Sequence, residues 1–245
     1  MMTLAFLTRR LINILDNKDN AFRASDVANE AQAAFERTIG ENAPPIACAK
    51  GCSYCCHTFV SASPTDIFGV ARHIRDIHQV DFEAELDRIC ASEDNTRNVS
   101  QDARHDGRQP CALLVDDSCS VYEARPTGCR GWASTDVIPC QNWADDIPVP
   151  ELYRESRGAI DHAVWAALKH HGYSKISYEI SQAIRVALED PDSEKRWLDG
   201  EDVFKDVRID RSVTDNKLFV VGDQLMDALI DGAFDRPMNF RVGAQ

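Results

Sequence analysis

Four cysteines fall within nine residues, CAKGCSYCC at positions 48–56, and the last two of them are adjacent. Neighbouring side chains diverge by about 100° in a helix and point to opposite faces of a strand, so Cys55 and Cys56 make poor joint ligands of one mononuclear ion. Either they serve two centres, or one ligates while the other lies behind it, or both reach different irons of one polynuclear cluster. Four further thiols follow at Cys111, Cys119, Cys129 and Cys140, and the 105 residues after Cys140 contain none. The ninth cysteine, Cys90, stands in a helical pattern beside Phe82, Leu86 and Ile89 and reads as a small core residue.

Whether such thiols pair with one another or with a metal depends on the compartment. The opening MMTLAFLTRRLINILDN breaks its apolar run at Arg9 and Arg10, without the early positive charge or small-residue cleavage site of a secretory leader. No segment approaches the roughly 20 apolar residues of a membrane span. A cytoplasmic location with reduced thiols is therefore expected, and with it metal ligation in place of a disulfide framework. A formal net charge of -13 repels phosphate backbones and argues against nucleic acid as a partner. The acidic excess through residues 189–215 reads as solvated surface.

The remainder is patterned as helix. Helical spacing is expected over about residues 3–15 and again over 24–38, where Val27, Ala31, Ala34 and Phe35 share a face, with Gly40, Pro44 and Pro45 closing the entry segment. In SASPTDIFGVARHIRDIH, Ser63 is placed to cap a helix with Pro64 at its first position and Asp66 in its first turn. Residues 81–91 continue as helix, and the polar stretch 92–110 reads as an exposed loop. Leu113 and Val115, the turn formers Asp116, Asp117 and Ser118, then Cys119 and Val121 predict a hairpin-like reversal, with one helical turn at Tyr122 to Ala124. Later stripes at Ile160 to Leu168, Ile176 to Ala187 and Leu225 to Ile230 predict three more helices. The expected fold is mainly α: a compact helical domain with an irregular, cysteine-rich metal-binding core and at most a short hairpin. Residues 1–45 would supply N-terminal helices, 46–145 the cysteine core, and 146–245 a C-terminal helical segment packed as one unit with it.

Thiolates are soft ligands and select zinc or iron–sulfur units over magnesium or calcium. Cys52 and Cys55 have the two-residue spacing of a zinc knuckle. Cys48, Cys52 and Cys55 together resemble the three-cysteine loop that holds a 4Fe-4S cluster in radical S-adenosylmethionine enzymes, but Cys56 and the helical surroundings depart from that pattern. His57 could replace one thiolate or simply hydrogen-bond at a helix start. Arg125 and Arg130, which bracket Cys129, are expected to hydrogen-bond the sulfurs and offset their charge, whereas Lys50 reads as ordinary surface charge. His170 and His171 read as helix caps, and His73 and His78 miss the one-face spacing of a paired metal site.

Residues 48–56 followed by 110–132, with Cys111 after Pro110, Cys119 before Ser-Val-Tyr, and Arg125-Pro126 before Cys129-Arg130, resemble the YkgJ-type CxxCxxCC cysteine-cluster family, a zinc- or iron-chelating domain. The resemblance implies that Cys48, Cys52, Cys55, Cys56, Cys111, Cys119 and Cys129 are metal ligands, with Cys140 the last of the set. Ser53 and Tyr54 stand where that family often has glycine, and the long helical tail lies outside its core. A bacterial flagellin lysine methylase carries a similar cysteine cluster. Three classes of function follow: a metal-binding protein holding zinc or an iron–sulfur cluster, a metal-cluster-dependent enzyme of protein modification, and a redox or metal-handling partner protein. No serine–histidine–acid set, paired carboxylates or phosphate loop supports other catalysis.

Overall fold

The computed structural model describes residues 3–40, 43–144, 146–207 and 216–235; the end of the acidic stretch, 208–215, lies outside them. Helix α1 (Leu4–Asp16) is capped by the Thr3 hydroxyl, which accepts from the Phe6 amide at 3.2 Å, and buries Leu7, Leu11, Ile12 and Leu15. Helix α2 (Arg23–Ile39) buries Ala24, Val27, Ala28, Ala31, Ala34 and Phe35. A single 3-10 turn at Tyr54–His57 and the two-residue strand β1 (Ser61–Ala62) lead into α3 (Pro64–Ile77). The α3 entry is a capping box. The Ser63 hydroxyl accepts from the Asp66 amide, and the Asp66 carboxylate accepts from the Ser63 amide and hydroxyl.

Small residues decide how closely α2 and α3 pack: a Cβ placed on Gly69 would lie 2.8 Å from the Ala28 Cβ, so only glycine permits this crossing. Next come α4 (Phe82–Asp94) and α5 (Gln101–Asp106). The stretch read as an exposed loop thus contains a helix, capped by Ser100 and bearing a buried Arg104. Cys90 also differs from expectation. It is half-buried, not core, with its sulfur 3.8 Å from the Glu189 carboxylate.

The predicted reversal is a two-residue hairpin, β2 (Leu114–Val115) against β3 (Ser118–Cys119), with Leu114 opposite Cys119. Its loop residues Asp116 and Asp117 both take positive φ, 47° and 57°, as a type I′ turn requires, and aspartate tolerates that region at small cost. One turn at Tyr122–Ala124 and the short helices α6 (Thr127–Gly131) and α7 (Val137–Gln141) complete the irregular middle.

Helix α8 (Glu151–His170) packs against α1, α2 and α6. Strand β4 (Tyr178–Glu179) pairs antiparallel with β1, Ser61 opposite Glu179, which ties the segment before α3 to the C-terminal half. Helix α9 (Ile180–Glu189) packs on α3 and α4, so its start lies four residues beyond the predicted Ile176: the residues before it are used to pair with β1. Helices α10 (Ser193–Leu198) and α11 (Asn216–Ala233) follow, the latter against α1 and α8. Phe68 meets Trp197 and Phe204 at ring separations of 5.6 and 5.3 Å, and Tyr178 closes on Phe204 at 4.8 Å. Mainly α as its patterning predicts, the chain surrounds its largest buried cluster with long helices and leaves 43–63, 107–144 and 146–150 largely irregular.

Candidate metal centre

Four stretches of chain carry the eight clustered cysteines, and backbone hydrogen bonds knit them together. Ala47 donates to the Ser134 carbonyl at 2.7 Å, and the Ser134 amide donates to the Cys48 sulfur at 3.2 Å. In this way the start of the nonad is fastened beside α7, which carries Cys140. The Ser134 side chain also hydrogen-bonds the Cys140 thiol. Cys52 donates to the Ala49 carbonyl at 3.0 Å and Cys56 to Ser53 at 2.8 Å, so the nonad is two successive tight turns. At its far end the Cys56 carbonyl accepts from the Cys111 amide at 2.7 Å, joining the nonad directly to the segment that begins the hairpin.

The hairpin and α6 bring in the remaining thiols. Cys111 is buried, and its carbonyl accepts from Leu114 at 3.0 Å. Cys119 is set by the I′ turn opposite Leu114. Cys129 sits in α6, whose first residue, Thr127, donates its amide to the α3 capping carboxylate of Asp66. On the other side α6 lies against α8 so closely that a Cβ on Gly131 would be 2.5 Å from the Arg157 Cβ. The glycines and threonine of RPTGCRG therefore dock α6, and α6 presents Cys129.

Burial and mutual proximity hold most of these thiols protonated. Burial pushes the Cys111 thiol up to about 12, with further repulsion from Glu179 and Cys119. The Cys129 thiol is raised in the same way, by burial and then by Cys111, Cys55 and Cys119. Cys119, Cys52 and Cys140 are also raised, chiefly by burial. Cys55 is the exception. A hydrogen bond from the Cys56 thiol lowers it, opposed by burial and assisted by the Arg125 guanidinium, and Cys56 rises correspondingly. A cation among these sulfurs would invert the balance, since a coordinating thiol is deprotonated outright.

Arg125 and Arg130, expected together beside the sulfurs, divide. The positive charge of Arg125 acts on Cys55 and Cys119, while its guanidinium lies 3.8 Å from the Tyr122 ring centroid with its Nε buried and unpaired. Arg130 is committed elsewhere: to Glu36 at 2.5 Å, to the Arg125 carbonyl at 3.1 Å, and to the Glu123 carbonyl. It fastens the loop before Cys129 to α2. The same loop is held by Gln32, whose amide donates to the Ala124 carbonyl at 3.2 Å. Lys50, read as surface charge, acts on Cys119. His57 ends the 3-10 turn, where a bond at a helix start was expected: its Nδ1 lies 3.1 Å from the Ser53 carbonyl at the turn's beginning, and its ring lies edge-on to Trp143 at 6.3 Å.

Sequence reasoning missed Ser134 and Ser181, which hydrogen-bond Cys48 and Cys140, and Cys111, respectively. Ser134 had a signal in its place between Trp132 and Cys140; Ser181, 70 residues beyond Cys111, had none. All nine cysteines are free thiols, and among the described residues no three Cys, His, Asp or Glu side chains form a group ready to hold a metal ion. The donor set itself, eight thiols with a cationic Arg125 beside them, suits zinc or an iron–sulfur unit by softness and charge. No known family, curated protein or solved structure matches the chain. Among the described residues no helix is long and apolar enough to cross a membrane.

Proposed function

We propose that this is a metal-binding protein of a reducing compartment, in which thiolates from residues 48–56 and 111–140 hold zinc or iron–sulfur centres and lock the cysteine segment onto the helical shell. One observation carries the reading: hydrogen bonds from the Cys111 amide to Cys56, from Ala47 to Ser134 and from the Ser134 amide to the Cys48 sulfur draw together stretches of chain that carry clustered thiols, while Cys90 stands apart against Glu189. Metal ligation would deprotonate these thiols and crosslink stretches of chain that have little regular structure of their own. The motif order shared with the YkgJ-type family supports the same reading. When bound, zinc supplies a closed four-thiolate crosslink and an iron–sulfur unit supplies electron transfer. The residues themselves orient sulfur: Ser134, Ser181 and Arg125 by hydrogen bonds and charge, Arg130 and Gln32 by holding the loop that leads to Cys129.

The test is anaerobic purification followed by the visible spectrum and determination of zinc, iron and acid-labile sulfide per chain. Brown protein with iron and sulfide identifies the cluster form, and colourless protein with zinc the tetrahedral form. Absence of stoichiometric metal in preparations grown with either metal would overturn the proposal. Chelation is expected to lower the melting temperature by ten degrees or more, because ligation energy at such sites is folding energy, about 10–16 kcal/mol per structural zinc in small peptides. Cys129→Ser is expected to lose metal, whereas Cys90→Ser retains it fully.

A further inference from the structure

We infer that residues 136–144, which carry α7 and Cys140, form a flap over the cysteine turn, and that the stacked pair Trp143 and Arg108 is its latch. The flap stands on geometry; its use as a gate for metal rests on the metal-binding reading above.

Helices α5 and α7 end in the same way. At the close of α5 the Gln109 amide donates to the Arg104 carbonyl at 3.0 Å and the Arg108 amide to the His105 carbonyl at 3.1 Å. At the close of α7 the Ala144 amide donates to the Pro139 carbonyl at 3.0 Å and the Trp143 amide to the Cys140 carbonyl at 3.3 Å. Each is the paired terminal bond whose left-handed position glycine usually fills. Here that position is held by Arg108, with φ 48°, and by Trp143, with φ 54°. Among the described residues six non-glycine positions take positive φ; four are Asn or Asp, which tolerate it, and these two are the others. They meet. The Arg108 guanidinium carbon lies 4.8 Å from the Trp143 ring centroid. Backbone strain of this kind persists only where its surroundings over-determine it. Around Trp143 those surroundings are rings: His105 of α5 and His57, the last residue of the cysteine turn, stand edge-on to it at 5.9 and 6.3 Å.

The body of the flap adds no burial of its own. Helix α7 buries no side chain, and its Ile138 is 52% exposed. The base is fixed. Ser134 is tied to the start of the nonad through Ala47 and Cys48, and the Thr135 amide donates to the Pro148 carbonyl at 3.1 Å, holding together the two ends of the excursion that carries α7. A segment pinned at its base and clasped at its far end opens as a unit when the clasp lets go. Cys140 moves with it, whereas Cys48 stays at the pinned base. Because α7 packs against the turn Tyr54–His57, opening uncovers the stretch that carries Cys55 and Cys56.

Hydrogen exchange read by mass spectrometry on full-length, chelated protein tests the latch, and Trp143→Gly is the deciding variant. Glycine suits the left-handed position, so a Trp143 that merely ended a helix would give slower exchange over 136–144 when replaced by glycine. As a latch, its loss should speed exchange there by about tenfold, the order expected from losing one aromatic pair and one cation–π contact, while amides of α6 and the hairpin keep their wild-type rates. Slower or unchanged exchange over 136–144 overturns the latch, and so does an equal acceleration in α6. Arg108→Gly relieves its own strained φ yet should speed the same segment by a smaller factor; no change there would overturn the pairing. Trp143→Phe keeps a ring and should fall between wild type and Trp143→Gly, and a rate equal to that of Trp143→Gly would overturn the ring contacts as the cause. The gate is read separately, as metal release to a chelator from protein reconstituted with zinc or with iron and sulfide. Trp143→Gly should release metal several times faster than wild type. Equal release overturns the gate and leaves metal binding intact, whereas protein that takes up neither metal overturns the metal-binding reading and the gate with it, the flap then being decided by exchange alone.

Discussion

The helical shell and the cysteine segment are built on opposite principles. In the shell, α1, α2, α3, α8 and α9 bury Leu11, Ile12, Val27, Ala31, Ile67, Val70, Ala163 and Ile184 essentially completely, and each helix is legible as an apolar stripe. In the cysteine segment the longest regular pieces are five-residue helices and two-residue strands, and its order rests on single hydrogen bonds such as Cys111 to Cys56 and Ala47 to Ser134. Apolar burial stabilises without a ligand and is spread over many residues. A chain of isolated hydrogen bonds contributes about 1 kcal/mol at each link and needs a crosslink to become rigid. Such a contrast is what the proposed metal crosslink would account for.

The seam between the two is where the largest effect is expected. Arg104 of α5 and Glu179 are both buried and meet at 2.6 Å, with Arg104 also reaching the carbonyl of Pro110, next to Cys111. Glu179 in addition caps α9, accepting from the Gln182 amide at 2.8 Å. Glu179→Ala strands a buried guanidinium and removes the cap, so unfolding free energy should fall by about 3–5 kcal/mol for the pair and about 1 more for the cap. Chemical denaturation would measure it. A loss under about 1 kcal/mol would mean that the segment is not anchored here.

Within the shell, Phe68→Ala should cost about 3–5 kcal/mol by emptying the aromatic cluster of Trp197 and Phe204. If the two regions are energetically distinct, that loss is the same in metal-loaded and chelated protein. A loss confined to the loaded form would erase the distinction. The smallest expected effect sharpens the boundary at α8. Burial and the neighbouring charge of Asp66 push the Asp161 carboxyl up to about 7, against a pull downward from Arg157. With its pKa raised on folding, Asp161 binds a proton in the native state that the unfolded chain has released, so stability falls as pH rises from the ordinary aspartate value of 3.8 toward about 7. Asp161→Asn should flatten the melting temperature between pH 5 and 7.5 (roughly the upper part of that window), and an unchanged slope would remove Asp161 as its source.

Local signals explain what could be read in advance. Ser63, Pro64 and Asp66 form the expected helix start because a capping box is written in consecutive residues. Asp116 and Asp117 form the hairpin loop because their tolerance of positive φ is a property of the residue type. By contrast, α5 escaped because its sequence is polar and Arg104 is buried only by pairing with Glu179, 75 residues away. Cys90 was misjudged for the converse reason. Its helix has an apolar side, but Glu189 and Arg185 of α9 face that turn and keep it half-exposed.

By itself the sequence determined the helical class, the hairpin, the cap of α3 and the eight candidate thiols, since these depend on periodicity, turn chemistry and residue identity. Only tertiary structure decided that Arg130 secures backbone while Arg125 lies over the Tyr122 ring, and that Ser134 hydrogen-bonds Cys48 and Cys140 and Ser181 hydrogen-bonds Cys111. The physical reason is distance along the chain: Ser134 meets Cys48 across 86 residues, and contacts of that separation are set by how helices pack, which no local pattern encodes.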